Sequence, residues 1–419
     1  MDLPTSRRGA QLVANDGRLA LGGGGLARFA ARRTAAVLAR IDAGLAMGSL
    51  DATLPDGRQV RLGGRAPGPA AAIVLATWTP VVRLMLAGSA GFARAHFDGD
   101  WTSPAPEAIF ALFVANRRTL GSTARARGPW RWANKLVRAV EERRSPQRNV
   151  AFHYDLGNDF YAAWLDRSMT YSSALFTGEL AVGAADGGDL EAAQTAKVRA
   201  LLDAVGVRPG DRLLEIGCGW GGLAEIATRD YGAQVHGITL SAEQLAYAQA
   251  RVPAATFGLS DYRAVTGTYD HVVSVEMFEA VGLRHWGTFM AVLRRVLAPG
   301  GRAGLQVITI ADDVFDAYRA STDFIQAYIF PGGMLPSPSR FRAAATGAGL
   351  TILTERWFGP DYARTLRLWR ARFAAVVADG RLPPGFDARF VSIWRYYLMY
   401  CEGGFDGGGL DVGQVVLQV

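Results

Sequence analysis

A chain of 419 residues, half of them apolar, is long enough for two to three domains and can bury real cores, which excludes a small disulfide-stapled scaffold. Two widely separated cysteines, Cys218 and Cys401, and five scattered histidines supply no zinc knuckle, and the N-terminal MDLPTSRRGAQLVANDG lacks the apolar core of a secretory signal. The net charge is +7, from 45 basic residues against 38 acids, which directs attention to an anionic partner surface.

Residues 1–25, which end in the run Gly22 to Gly25, read as disordered. Leu26 to Met47 has the spacing of an amphipathic helix and carries Arg28, Arg32, Arg33 and Arg40. Ser49 to Gly64 is a hairpin pattern with Asp56-Gly57 as its turn. A strand from Ala72 to Thr77 and helices near Val81 to Leu86 and Pro106 to Val114 complete a small α+β domain, residues 26–116. Its most hydrophobic run, Pro69 to Ala90, is interrupted by Pro80 and Arg83 and falls short of a membrane span.

Residues 117–148 account for the basicity. Arg117, Arg118, Arg125, Arg127, Arg131, Lys135, Arg138, Arg143, Arg144 and Arg148 face only Glu141 and Glu142, and Trp130 and Trp132 lie among them. Interleaved Arg and Trp suit a phospholipid surface, because indoles sit at headgroup level and each basic side chain there adds about 1 kcal/mol. A solvated arginine-rich linker is the alternative, since Lys135 and Lys197 are the chain's two lysines. No nucleic-acid recognition motif accompanies the charge. The expected location is cytoplasmic, at the inner face of the membrane.

A second domain, residues 149–419, opens on different punctuation. LLEIGCGWGG (Leu213 to Gly222) is a short apolar run ending in Glu215, then alternating Gly217, Gly219 and Gly221, then a helical pattern. Strand, glycine turn and helix bring backbone N–H groups close to a nucleotide-like ligand. The third glycine follows the second by two residues rather than three, unlike the dinucleotide fingerprint, and no G-K-[ST] follows. The E-x-G-x-G-x-G form resembles motif I of S-adenosylmethionine (SAM)-dependent methyltransferases. VHGITL (Val235 to Leu240) is a second strand, leading into a helix with Ser241 as N-cap and Gln244 completing a capping box. Tyr269 to Gly282 is a third buried strand ending in acids, and Leu293 to Ile310 reads helix, Pro-Gly-Gly break, strand. Such alternation predicts a mainly parallel α/β sheet. Asp312 to Phe341 and Tyr362 to Phe405 read as helical insertions, the second rich in aromatics (Trp369, Phe373, Phe390, Trp394, Tyr396, Tyr397, Tyr400) that suit core or a greasy substrate.

Seven segments in order resemble the cyclopropane-fatty-acid synthases and mycolic-acid methyltransferases: Asn149 to Phe176, LLEIGCGWGG, GITLSAEQ, VSVEMFEAVG, FIQAYIFPGGMLPS, DYARTLRLW and YYLMYCEGGF. The N-terminal region resembles, more loosely, the accessory domain of the bacterial long forms, which implies a homodimer. The resemblance implies a class I methyltransferase fold, Rossmann-like and α/β, with helical insertions and the small accessory domain in front. It implies SAM-dependent methyl transfer to the double bond of an unsaturated acyl chain in a membrane phospholipid. The product is a cyclopropane or a methyl- or methylene-branched chain, according to where a proton leaves the resulting carbocation.

Position by position, Tyr171 and Ser172 match the family's cofactor-covering segment, and Glu215, Gly217, Cys218, Gly219 and Gly221 its methionine-binding loop. Thr239, Leu240 and Gln244 match the ribose-side turn, and Asp261 and Tyr262 the adenine-side pair. Glu279 and Tyr362 match residues that hold a bicarbonate ion, the proton acceptor of the family. Cys401 matches a cysteine counted among the family's active-site residues, although this chemistry needs no thiol nucleophile. The chain departs from the pattern at the ion site. Ser173 stands for the usual cysteine, Ala280 for the usual histidine after Glu279, and Gln306 for the strand histidine. Serine and glutamine can still donate hydrogen bonds to a carboxylate-like anion, but a neutral amide changes the proton chemistry. Methyl transfer is expected to survive; ring closure is what these exchanges put in question. A small-molecule N-methyltransferase of the same fold, and a catalytically silent lipid-binding partner, are the alternatives.

Overall fold

The computed structural model describes residues 8–9, 12–13, 36–121, 156–177 and 190–419. Most of the N-terminal 25 residues, the first part of the Arg-rich amphipathic segment and the basic segment beyond Gly121 lie outside them; residues 36–44 are helical. The chain forms two compact units that interleave along the sequence. One takes Met1–Arg143, Asp313–Pro331 and Pro384–Leu410; the other takes Arg144–Asp312, Gly332–Pro383 and Asp411–Val419.

In the first unit, β1 (Ser49–Thr53), β2 (Gln59–Gly63), β3 (Ala70–Leu75) and β4 (Trp101–Thr102) form a sheet in the order β2-β1-β3-β4. β1 and β2 are the expected hairpin, with Ser49 opposite Gly63 and the turn at Asp56-Gly57, where Gly57 takes φ +83°. Leu50 and Ala52 of β1 point into the core, while Asp51 between them faces out and pairs with Arg61 across the hairpin. Helices Thr79–Phe97 and Pro106–Ala115 cover this unit together with Ala388–Asp406, which begins 273 residues after Ala115. That last helix packs against Pro106–Ala115 through glycines: a Cβ at Gly403 would stand 2.5 Å from the Glu107 carbonyl, and one at Gly407 2.7 Å from that of Ala111. Phe390, Trp394, Tyr396 and Tyr397 on the same helix are buried, with the Tyr396 ring 4.8 Å from Phe324 and 5.2 Å from Phe110. Much of the aromatic stripe is therefore core.

The second unit is built on a seven-stranded sheet in the order β10-β11-β9-β8-β5-β6-β7. Its strands are β5 (Arg212–Ile216), β6 (Gln234–Thr239), β7 (Thr256–Leu259), β8 (Tyr269–Val275), β9 (Leu297–Ile310), β10 (Thr351–Trp357) and β11 (Leu410–Gln418). β9, β8, β5, β6 and β7 run parallel, and β10 and β11 pair antiparallel. β7, β10 and β11 are additions to the strands legible in sequence. Leu213, Val273, Leu201 and Leu202 are fully buried where helix Leu190–Val205 lies on the sheet. β6 and β8 flank β5 on opposite sides, so the chain reverses its winding direction there, and the crevice beyond the carboxyl ends of β5 and β8 is where such sheets take ligands.

Candidate active site

The glycine loop begins at that crevice. Gly217 adopts φ +84°, and a Cβ on it would come 2.7 Å from Met277 Cγ, so the turn after β5 and the turn after β8 are in direct contact. The amides of Gly217 and Cys218 donate to the Ile238 carbonyl, tying the loop to β6. Gly221, in the left-handed region at φ +80°, caps helix Gly222–Tyr231. At Gly219, φ +50°, a Cβ would meet nothing within 4 Å, which leaves open space over the loop. Cys218 is buried and its thiol is pushed up by burial, so it serves as a small packed residue rather than a nucleophile.

Buried polar atoms around the loop have unmet hydrogen bonds. Glu215 is 4% exposed, and burial pushes its carboxyl up to about 8 against the opposing charge of Lys197 and the Ala224 amide. Its Oε2 has no partner. At the end of β6, Ser241 caps helix Ala242–Arg251 by accepting the Gln244 amide at 3.3 Å. The reciprocal half of the expected capping box is absent, because Gln244 Oε1 accepts from the Thr239 hydroxyl at 2.9 Å instead. Gln244 Nε2 is buried without a partner. Leu240 is half-buried beside them. Glu215 and Gln244 stand where the family resemblance expects the cofactor's polar groups, and an orphaned carboxylate oxygen and an orphaned amide fit SAM with its hydroxyls and ammonium.

The adenine-side pair is placed differently from a free acceptor. Asp261 caps the short turn Tyr262–Ala264 and accepts from the Arg263 guanidinium at 2.6 and 2.8 Å, which holds its carboxyl below the usual range. The Tyr262 ring packs on Phe289 at 5.2 Å. On the covering segment, Tyr171 packs edge-on or tilted in a cluster with Tyr161, Trp164 and Trp369, at centroid distances of 5.4, 5.7 and 5.3 Å. Ser172 is buried, and its Oγ accepts from Lys197 Nζ at 2.6 Å. Lys197 escaped the sequence reading. It is 1% exposed, and burial lowers its ammonium to about 8 against the pull of Glu276, Asp166 and Glu215.

The expected ion site also takes a different form. Ser173 N–H donates to Glu276 Oε1 at 2.8 Å, Gln306 Nε2 donates to the same oxygen at 2.9 Å, and Tyr362 O–H donates to Glu276 Oε2 at 2.7 Å. The Ser173 hydroxyl turns away and donates to the Ala174 carbonyl, so the backbone does the work expected of its side chain. Gln306 is itself held by Gln414, whose Nε2 donates to Gln306 Oε1 at 3.2 Å and to the Lys197 carbonyl at 2.9 Å. Glu279 Oε1 accepts the Ile308 amide, while its Oε2 is buried without a partner. Burial, reinforced by the charge of Glu276, raises Glu279 to about 8. Glu276 was the central residue missed by the sequence reading. Its one legible signal was an acid directly after a buried strand, in the position where β8 must turn.

Cys401 lies in the first unit, on helix Ala388–Asp406, and takes no hydrogen bond in this carboxylate cluster. Burial and the carboxylate of Asp323 push its thiol up, which opposes a nucleophilic role. Among the described residues no cluster of His, Cys, Asp or Glu could hold a metal, and no helix is long and apolar enough to cross a membrane.

Comparison with known proteins adds a lineage to this geometry. Residues 141–415 match the family model described as mycolic acid cyclopropane synthetase. The chain is 41% identical over 344 residues to a tuberculostearic acid methyltransferase of Mycobacterium tuberculosis, covering 79% of each chain. It is 33% identical over 338 residues to the cyclopropane-fatty-acyl-phospholipid synthase of Escherichia coli, covering 80% of this chain and 84% of that one. Among solved structures it is similar to mycolic acid cyclopropane synthase CmaA1 in complex with SAH and CTAB, with 30% identity and a TM-score of 0.61 over 66% of this chain and all of the other.

Proposed function

Because this chain belongs to the mycolic acid cyclopropane synthetase family, we propose that it methylates the double bond of an unsaturated acyl chain carried on a membrane phospholipid, with SAM as donor. The observation that carries this reading is the contact between the two turns: the glycine loop after β5 meets the turn after β8, which bears Glu276 and Glu279. A methyl donor and a proton acceptor must face one substrate, and these adjoining turns supply both sides.

SAM, when bound, would supply an electrophilic methyl to the alkene π pair, with the pair of the S–CH₃ bond left on sulfur. An alkene is a weak nucleophile, so the chain's task is first one of positioning. Glu215 and Gln244 would take the donor's polar groups through their unpartnered atoms, and open space at Gly219 admits it close to the backbone. Tyr171, half-buried and backed by the fully buried Trp164 and Trp369, would present an apolar, electron-rich face that suits a sulfonium and helps keep out water. Dryness matters because water would capture the carbocation on the acyl chain as an alcohol. A carboxylate then takes the proton, and the carbon that gives it up determines whether a ring or a branch results.

Membrane access falls to residues 117–148. Of their ten basic side chains, Arg117 and Arg118 are described, and both pair with Asp313, at 3.5 and 2.6 Å. The remaining charge is what this proposal assigns to anionic headgroups. The test is to incubate purified protein with SAM and vesicles of dioleoyl phosphatidylglycerol and phosphatidylethanolamine, then analyse the lipids by mass spectrometry and NMR. Acyl chains heavier by one CH₂ support the reading. No mass gain on any unsaturated phospholipid, with SAM binding confirmed by calorimetry, overturns it.

A further inference from the structure

Of the residues expected to hold bicarbonate, Ser173, Gln306 and Tyr362 are already engaged by the chain itself. Three donors converge on one carboxylate, that of Glu276: the Ser173 amide, the Gln306 side-chain amide and the Tyr362 hydroxyl. An added bicarbonate would find these donors spent and would sit beside an existing negative charge. The site does not fit that ion. It fits a reaction in which the protein provides the carboxylate.

We propose that Glu276 is the proton acceptor of the reaction, a base covalently built into the turn after β8 where the family resemblance expects a borrowed anion. The inference rests on the acyl-methylation reading above and deepens it.

Three further observations support it. Glu276 holds φ +51°, a left-handed backbone that costs a non-glycine residue about 1 kcal/mol or more. Glycine would relieve that strain, yet a glutamate stands there, with its own amide anchored to the Gln306 carbonyl at 2.8 Å. Second, Oε1 accepts two hydrogen bonds and Oε2 one, which leaves Oε2 a lone pair for an incoming proton, and the residue retains some open surface. Third, Glu276 and Glu279 are matched unequally. Burial raises both, but Lys197, Gln306, Tyr362 and Ser173 all pull Glu276 back toward its charged form, whereas Glu279 has its neighbour's charge against it. Two close carboxylates in such unequal surroundings divide into one base and one protonated partner.

The step balances without another reactant. A C–H bond of the cationic acyl chain breaks, on the new methyl or on an adjacent carbon. Its electron pair becomes the ring bond or a C=C bond, and the proton passes to Glu276 Oε2. Ser173, Gln306 and Tyr362 are positioning residues, since each acts through the carboxylate it holds.

The test compares wild type, Glu276→Gln and Glu276→Gly on dioleoyl phospholipid vesicles, in buffer scrubbed of carbon dioxide and in the same buffer with millimolar bicarbonate. The wild type should turn over equally in both. Glu276→Gln should lose turnover by about 100-fold or more, the usual cost of deleting a general base, with SAM affinity by calorimetry unchanged. Glu276→Gly opens the pocket, so bicarbonate should raise both its rate and its melting temperature while leaving the wild-type melting temperature unmoved. A wild type that needs bicarbonate, or a Glu276→Gln variant at full rate, overturns the proposal. If Glu276→Gly fails to fold, the first two proteins decide the matter. A wild type that methylates no unsaturated lipid is a different failure, that of the acyl-methylation reading itself.

Discussion

Glu279 has a carboxyl raised from 4.5 to about 8 by burial and by the charge of Glu276, and one of its oxygens is buried without a partner. A carboxyl raised in the folded state binds its proton more tightly there than in the unfolded chain. Its contribution to stability is complete below pH 4.5 and is lost as pH climbs toward 8. Glu215, raised by burial over a similar span, adds to the same slope, whereas Lys197, lowered from 10.5 to about 8, opposes it only above pH 8. The ligand-free protein should therefore lose stability between mildly acidic and mildly alkaline pH in urea titrations. Glu279→Gln, which resembles the protonated form in shape, should flatten that decline; a slope identical to wild type would remove Glu279 as its source. These residues also mark what sequence could reveal. Glu215, Glu279, Tyr362 and Gln306 were legible because each sits in a motif with a fixed place. Glu276 was not, because its importance comes from three donors arriving from Ser173, Gln306 and Tyr362, segments far apart in sequence, and from a backbone angle that no residue type announces.

At the level of elements, the turn after β5 is held by steric necessity. Gly217→Ala would place a methyl against Met277 in a backbone region unfavourable to alanine by about 1–2 kcal/mol. Relief requires moving the turn that carries Glu276. The expected result is SAM binding weakened tenfold or more by calorimetry. By contrast, Ser241→Ala removes only the cap of helix Ala242–Arg251 and should cost about 1 kcal/mol of stability. Equal SAM affinity for Gly217→Ala and wild type would contradict the contact. Elements with strong local signals, β5, β6, β8 and the Asp56-Gly57 hairpin, were readable from the sequence. β7 is four residues long and includes Gly258, and β10 and β11 earn their places by pairing with each other across more than fifty residues, so neither length nor local spacing exposed them.

On the scale of the whole molecule, the interleaving of the units has consequences for how the chain can be divided. Helix Ala388–Asp406 belongs with the N-terminal sheet, pressed through Gly403 and Gly407 onto Pro106–Ala115. A fragment starting at Asn149 keeps nearly all of the family-matching region but strips that helix of its partner. It should bind a hydrophobic dye and self-associate by size-exclusion chromatography, while the full chain does not. Charge at this scale predicts a separate behaviour: binding to anionic vesicles should exceed binding to zwitterionic ones and should weaken as salt is raised. Salt-independent binding would argue that residues 117–148 are a linker.

β11 occupies an interior position in its sheet, between β9 and β10, although it follows both in sequence. The first unit likewise needs Pro384–Leu410 before its helices have their partners. During synthesis on the ribosome, neither unit can close until these late segments emerge. Meanwhile the flank of β9 stays uncovered while about a hundred further residues are made, and the apolar face of Pro106–Ala115 while nearly three hundred are, which is several seconds to about a minute at about 5–20 residues per second. Expression yield should therefore depend on chaperone supply and on slow translation near the 3′ end far more than the finished protein's stability would suggest.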